Sequence, residues 1–160
     1  AFSLAKDIGV SNKEAKHYIE SYLAHYSGVD SYMKNVVAKA NADGYVETMF
    51  GRRRNLPELT SSKHMIRAFG ERVARNMPIQ GTAADIIKIA MIKVDERMKA
   101  ENLRARLVLQ VHDELIVEAP QDESMRVALI VQEEMENAVK MSVPLTADAA
   151  IGRTWYDAKG

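Results

Sequence analysis

Apolar residues recur at helical spacing along much of this chain, and two short aliphatic blocks near residue 110 break that rhythm. Ala15, Tyr18, Ile19, Tyr22 and Leu23 predict a helix over about 12–26 with that face packed inward. Ser11 is placed to cap it, with Glu14 completing a capping box, and Gly28 is expected to end it. Tyr32, Met33, Val36, Val37 and Ala40 predict a second helix over about 30–42, stopping near Asp43-Gly44. Tyr45 to Phe50 alternates as a strand that Gly51-Arg52-Arg53-Arg54 interrupts. Met65, Ala68, Phe69 and Val73 mark the buried side of a third helix starting at Ser61, and Pro78 is expected to break or kink it. Ile79, Ala83, Ile86, Ile87, Ala90, Met91, Val94 and Met98 then give a central packing helix over 79–99. An amphipathic helix over 122–141 and a last strand over 143–151 complete the prediction.

Leu107 to Val111 and Leu115 to Val117 carry the β-branched and large aliphatic residues of buried strands. Strands joined this tightly form an antiparallel hairpin, and His112, Asp113 and Glu114 fall at its tip. Asp is an ordinary turn residue, so a bland tip accounts for Asp113. It does not account for Glu114, and an Asp-Glu pair on a rigid stem suits a hard divalent cation such as Mg²⁺. Helices, short strands and an antiparallel hairpin in one chain make the expected fold class α+β.

Composition narrows the class further. The 160 residues, 47% hydrophobic and 28% charged, suit one folded domain or a large piece of one. With no cysteine, a disulfide framework is excluded and a reducing compartment is expected. No apolar run is long enough for a membrane span, so a soluble protein is expected, and the lack of an initiating Met suggests a chain cut from something longer. The methionines read as core filling, and His17 and His25 as ordinary helix residues.

The zero net charge conceals a segregation. Residues 51–80 hold Arg52, Arg53, Arg54, Lys63, Arg67, Arg72 and Arg75 against Glu58 and Glu71, whereas in 111–140 the acids outnumber Arg126 and Lys140. Holding a polyanion and a metal together needs such a pattern, and two solvated faces would also produce it. Arginines in a turn suit phosphate, and a solvated basic turn would carry the same run. Arg72 and Asn76 are four apart and share a face, with Gln80 following near the expected bend. Asn and Gln offer the donors and acceptors that minor-groove base edges require, and capping a broken helix would equally employ them.

MFGRRRNLPEL, RNMPIQGTAADIIKIAM, LQVHDELIVEAP and IGRTWYDAK, in that order, resemble the C-terminal portion of a family A DNA polymerase over essentially the whole chain. The resemblance implies a palm built on an antiparallel sheet, with residues 1–75 the end of the fingers and its junction, and 76–160 the palm to its natural C-terminus. It implies that Asp113 is a metal ligand for one of two Mg²⁺ ions in an in-line nucleotidyl transfer, with Glu114 a supporting acid. Gln110 and His112 match positions beside the primer terminus. Arg72, Asn76 and Gln80 match residues contacting the terminal base pair, and Arg52 and Arg53 a basic turn beside the DNA. The implied partners are primer-template DNA, deoxynucleoside triphosphates and the rest of the polymerase chain, in the bacterial cytoplasm near the nucleoid, with no membrane. The family's other metal-binding aspartate and its nucleotide-binding finger helix have no counterpart here. Half a metal site is therefore present, and the fragment alone is expected to be inactive.

Two other classes compete, along with a related enzyme. A non-catalytic nucleic-acid-binding module would use the same basic helix but leave Asp113 and Glu114 unexplained. A carboxylate hydrolase would need both acids to flank one bond, which neighbouring strand residues do poorly. A single-subunit RNA polymerase palm resembles this form of the turn less well.

Overall fold

The structure, a computed structural model, describes residues 2–159. In chain order it contains α1 (Phe2–Ile8), α2 (Asn12–His25), α3 (Ser27–Asp43), β1 (Tyr45–Glu47), β2 (Arg53–Asn55), a 3-10 turn (Pro57–Thr60), α4 (His64–Ala100), β3 (Arg106–Val111), β4 (Glu114–Glu118), α5 (Ser124–Glu136) and α6 (Trp155–Ala158). Helices with two small antiparallel sheets make this an α+β chain, as the residue pattern predicts. Among the described residues no helix is long and apolar enough to cross a membrane.

The contacts divide the chain into two compact units, the first running to Glu47 and resuming over Gly51–Pro78, the second comprising Thr48–Phe50 and the chain from Ile79 onward. In the first, the Ser11–Glu14 capping box forms as expected: the Ser11 hydroxyl accepts from the Glu14 N–H, and the Glu14 carboxylate accepts from the Ser11 N–H at 3.0 Å. Hydrogen bonding to Ser11 holds the Glu14 carboxyl below its ordinary range. Gly28 does not end α2. The helix stops at Tyr26 (φ −100°, ψ 62°), and Gly28 lies in the first turn of α3. Gly44 closes α3 in the left-handed conformation (φ 78°), donating its N–H to Ala40 O. The chain then runs as β1 and β2, which pair Tyr45 with Asn55, Val46 with Arg54 and Glu47 with Arg53. Ala40, Val46, Leu56, Leu59 and Ala74 form the core here.

The apolar residues of this unit are not all inside. Tyr18, Tyr22, Met65 and Phe69 are exposed, Met65 at 83%. On α4 the buried side is instead Gly70 and Ala74, because two residues without bulk let the helix lie against the 3-10 turn. Nor does Pro78 end the helix: α4 is helical throughout its 37 residues with Pro78 inside. A proline forfeits one backbone donor, a local loss that long helices absorb when their neighbouring turns and packing hold.

In the second unit, Val94 and Met98 of α4 pack with Val127 and Ile130 of α5, and Leu107, Leu115 and Val117 lean against them. Arg97 ties α4 to α5, its Nη1 2.7 Å from Glu133 and 2.8 Å from Glu134, and Arg126 Nε of α5 donates at 2.6 Å to Glu101, the residue that follows α4. Glu134, then Glu133, raises the Arg97 guanidinium above its ordinary value. Arg104 Nε donates to Glu123 at 2.9 Å, and the Glu123 carboxylate also accepts the Arg104 and Ala105 N–H groups, fixing the entry to β3 against the start of α5.

The predicted strand over 143–151 does not form. Pro144 removes a ladder donor, and Val143 and Ile151 are exposed without a partner strand among the described residues. The strands of the hairpin are also less buried than their composition suggests, with Val108 56% and Leu109 47% exposed.

Candidate functional site

The β3–β4 hairpin pairs Val111 with Glu114, so its loop is the two residues His112 and Asp113 and Glu114 already belongs to the strand. His112 takes φ 53°, and Asp113 does not share the positive φ, the pattern of a type II′ connection whose twist matches the flanking strands. Glycine ordinarily fills that first loop position, so a histidine there carries backbone strain. The Gln110 side chain donates its amide N–H to the His112 carbonyl and braces the turn.

A register shift between Leu107 and Leu109 decides which side chains share a face. Paired residues of an antiparallel ladder point the same way, and the extra residue at Val108 reverses the alternation beyond it. Gln110, paired with Leu115, therefore falls on the side of Leu107 and Val117, which faces the core. Leu109, Val111, Ile116 and Glu114 fall on the opposite, open side. The bulge thus puts two of the sequence-predicted residues, Gln110 and Glu114, on different faces of one hairpin.

The two acids are treated differently. Asp113 is exposed and has no hydrogen-bond or ion-pair partner among the described residues. Glu114 is half-buried, its Oε1 lies 3.5 Å from Lys159 Nζ beyond α6, and its Oε2 is buried without a hydrogen-bond partner among the described residues. No group of three or more His, Asp or Glu able to hold a metal occurs among the described residues. The Asp113 carboxylate fits one ligand position of a hard cation such as Mg²⁺, and this chain's described residues do not complete the shell.

On α4, Arg72, Asn76 and Gln80 are all exposed and lie four residues apart in sequence, within a helix that does not break at Pro78. The Arg72 guanidinium lies 5.7 Å from the centre of the exposed Phe69 ring. Arg52 is exposed in the connection before β2. Arg53, the first residue of β2, donates its Nε–H to Glu47 Oε2 at 3.2 Å and stacks 4.4 Å over the Tyr45 ring. That partnership braces the β1–β2 ladder. Lys159 and Glu114 are 45 residues apart in sequence, so no local pattern links them and only the fold brings them together.

Comparison with known proteins identifies the family of the chain. The sequence profile of DNA polymerase family A matches residues 1–157. DNA polymerase I of Bacillus caldotenax is 52% identical over 158 residues, and that of Bacillus subtilis (strain 168) 50% identical over 158, each alignment covering 99% of this chain. The chain spans 18% of the length of either relative. Among solved structures, the POL domain of Pol1 from M. smegmatis in complex with DNA primer-template and dNTP is similar with a TM-score of 0.92 and 46% identity, covering 98% of this chain and 28% of that one.

Proposed function

This chain belongs to DNA polymerase family A, and we propose that it supplies the palm's carboxylate hairpin and part of the primer-template surface of a DNA-directed DNA polymerase. Residues 1–75 would be the end of the fingers and 76–160 the palm. One observation carries the reading: within a family match running over residues 1–157, the aspartate of the hairpin stands exposed and unpartnered at a rigid two-residue turn.

Asp113 would hold a Mg²⁺ ion, and when bound such ions activate the primer 3′-hydroxyl and offset charge at the α-phosphate and leaving pyrophosphate. Glu114 supports the same end of the hairpin from the open face. His112, exposed at the tip of the hairpin, would lie beside the primer terminus, and Gln110 acts by bracing the turn that presents it. Arg72, Asn76 and Gln80 would read acceptors in the minor groove of the terminal pair, where the pattern is nearly independent of sequence, so they test pair shape without preferring a base. Arg52 would contact phosphate. Deoxynucleoside triphosphates are the substrates, and the parent works in replication and repair synthesis in the bacterial cytoplasm.

A single metal-ligating aspartate, with no triphosphate clamp in the sequence, leaves the chemistry incomplete. These 160 residues alone therefore do not extend a primer, and the missing half comes from the rest of the polymerase. The decisive experiment is Asp113→Ala in the intact parent. Primer extension should fall by several orders of magnitude while primer-template binding stays near the parental level. Near-parental turnover would remove Asp113 from the reaction and the proposal with it.

A further inference from the structure

The described C-terminal segment is built to bring one lysine to the hairpin. Gly152 lies so close to α6 that a β-carbon there would come within 2.6 Å of the Ala158 nitrogen and 2.9 Å of Asp157 Cβ, so only a residue without a side chain lets the chain pass. Thr154 caps α6 through a reciprocal box with Asp157, the hydroxyl donating to the Asp157 carboxylate at 2.8 Å. A helix of four residues has little stability of its own, and such a cap holds it in place. Lys159 follows at once, its ammonium 5.4 Å from the centre of the Trp155 ring and 3.5 Å from Glu114 Oε1.

Glu114 gains more from that contact than an ordinary surface acid would. Its other carboxylate oxygen is buried with no hydrogen-bond partner among the described residues, so the ammonium is what offsets a partly desolvated charge. Drawn toward α6 on the open face, Glu114 is engaged, while Asp113, one residue earlier, stays exposed and uncommitted.

We propose that Lys159 is a positioning residue, holding the Glu114 carboxylate on the open face so that Asp113 is the acid left to take a divalent cation, and competing with that cation for Glu114. The inference rests on the polymerase reading of the hairpin. With Lys159 in place, Glu114 is unavailable as an additional ligand and the ammonium opposes a second positive charge near by. Removing it frees an acid for the cation. The Lys159 side chain is 61% exposed and that of Glu114 40%, so solvent screens part of the attraction even though one carboxylate oxygen is buried, and the effect is modest.

The test uses the intact parent polymerase with Lys159→Met, Lys159→Arg, Glu114→Gln and the double variant Lys159→Met/Glu114→Gln. Mn²⁺ affinity is read directly from the paramagnetic resonance of the free ion, and the Mg²⁺ concentration for half-maximal extension is measured alongside. Lys159→Met should tighten Mn²⁺ binding and lower the Mg²⁺ requirement, each by about two- to fivefold. Lys159→Arg should restore parental values, and Lys159→Met should change nothing further once Glu114 is Gln. Parental metal dependence in Lys159→Met, even with a lowered melting temperature, would overturn the proposal, and so would an equal shift in the Glu114→Gln background. Asp113→Ala measured in parallel separates the two layers. If it binds Mn²⁺ and turns over like the parent, the polymerase reading of the hairpin fails; if it is inactive while Lys159→Met behaves as the parent, only the role of Lys159 falls.

Discussion

Gly70 of α4 lies against Leu59 so closely that a methyl group in place of its hydrogen would sit 3.0 Å from Leu59 Cδ2 and 3.2 Å from the Leu59 nitrogen, with Glu58 Cβ also at 3.0 Å. A flexible side-chain end could yield, but a backbone nitrogen anchored by its 3.1 Å hydrogen bond to Leu56 O cannot do so cheaply. Gly70→Ala gains about 1 kcal/mol of helix propensity, and the crowding costs about 1–3 kcal/mol. A net loss of about 1 kcal/mol is expected, read as a lowered midpoint of urea unfolding.

Acid should loosen the α4–α5 pairing through Glu101. Its hydrogen bond from Arg126, aided by Arg97, holds the carboxyl below the ordinary value of 4.5 in the folded state. A depressed folded value means that the stabilisation is present in full above the unfolded value and is lost as pH falls through the folded one. The melting temperature should therefore fall as pH drops below about 4.5, and Glu101→Gln should start lower at pH 7 with a shallower acid limb. An acid limb identical in the two proteins would show that other carboxylates govern it.

The exposed stripe on α4 and the arginines beside β2 should separate in their effects on DNA. Arg72→Ala is expected to reduce the catalytic efficiency of primer extension in the intact parent by about tenfold or more, because the proposed contact at the terminal pair would be lost. Arg52→Ala should weaken DNA binding uniformly and reduce the salt dependence by about one counterion. Arg53→Ala should lower the melting temperature slightly, because it removes the hydrogen bond to Glu47 and the stacking on Tyr45.

His112→Gly separates the turn from the imidazole. Glycine adopts φ near 53° without penalty, so stability should hold or rise by up to about 1 kcal/mol. Any loss of primer extension in a variant that melts no earlier than the parent then reports the missing ring. If the variant melts earlier and extends normally, His112 serves the fold alone.

Much of the local structure was legible from residue order because it depends on groups a few positions apart. The Ser11–Glu14 box, the left-handed stop at Gly44 and the tight hairpin near Asp113 each follow from short-range hydrogen bonding or backbone sterics. The family motifs likewise stand in contiguous letters, and membership of the family follows from them without any tertiary contact.

Tertiary contacts decided the rest. Periodicity counts Met65 and Phe69 as inward because it registers hydrophobicity, yet the smallest residues, Gly70 and Ala74, take the interior where close approach matters more than apolar area. The helix persists through Pro78 although the local preference there is to stop. The bulge at Val108, which puts Gln110 and Glu114 on opposite faces, is a property of how two strands align, and neither strand states it alone. Lys159 meets Glu114 across 45 residues of chain, a contact that exists only once α6 has been folded back. Composition and spacing act over a turn or two of backbone, whereas register, burial and ion pairing between distant segments depend on which surfaces finally meet.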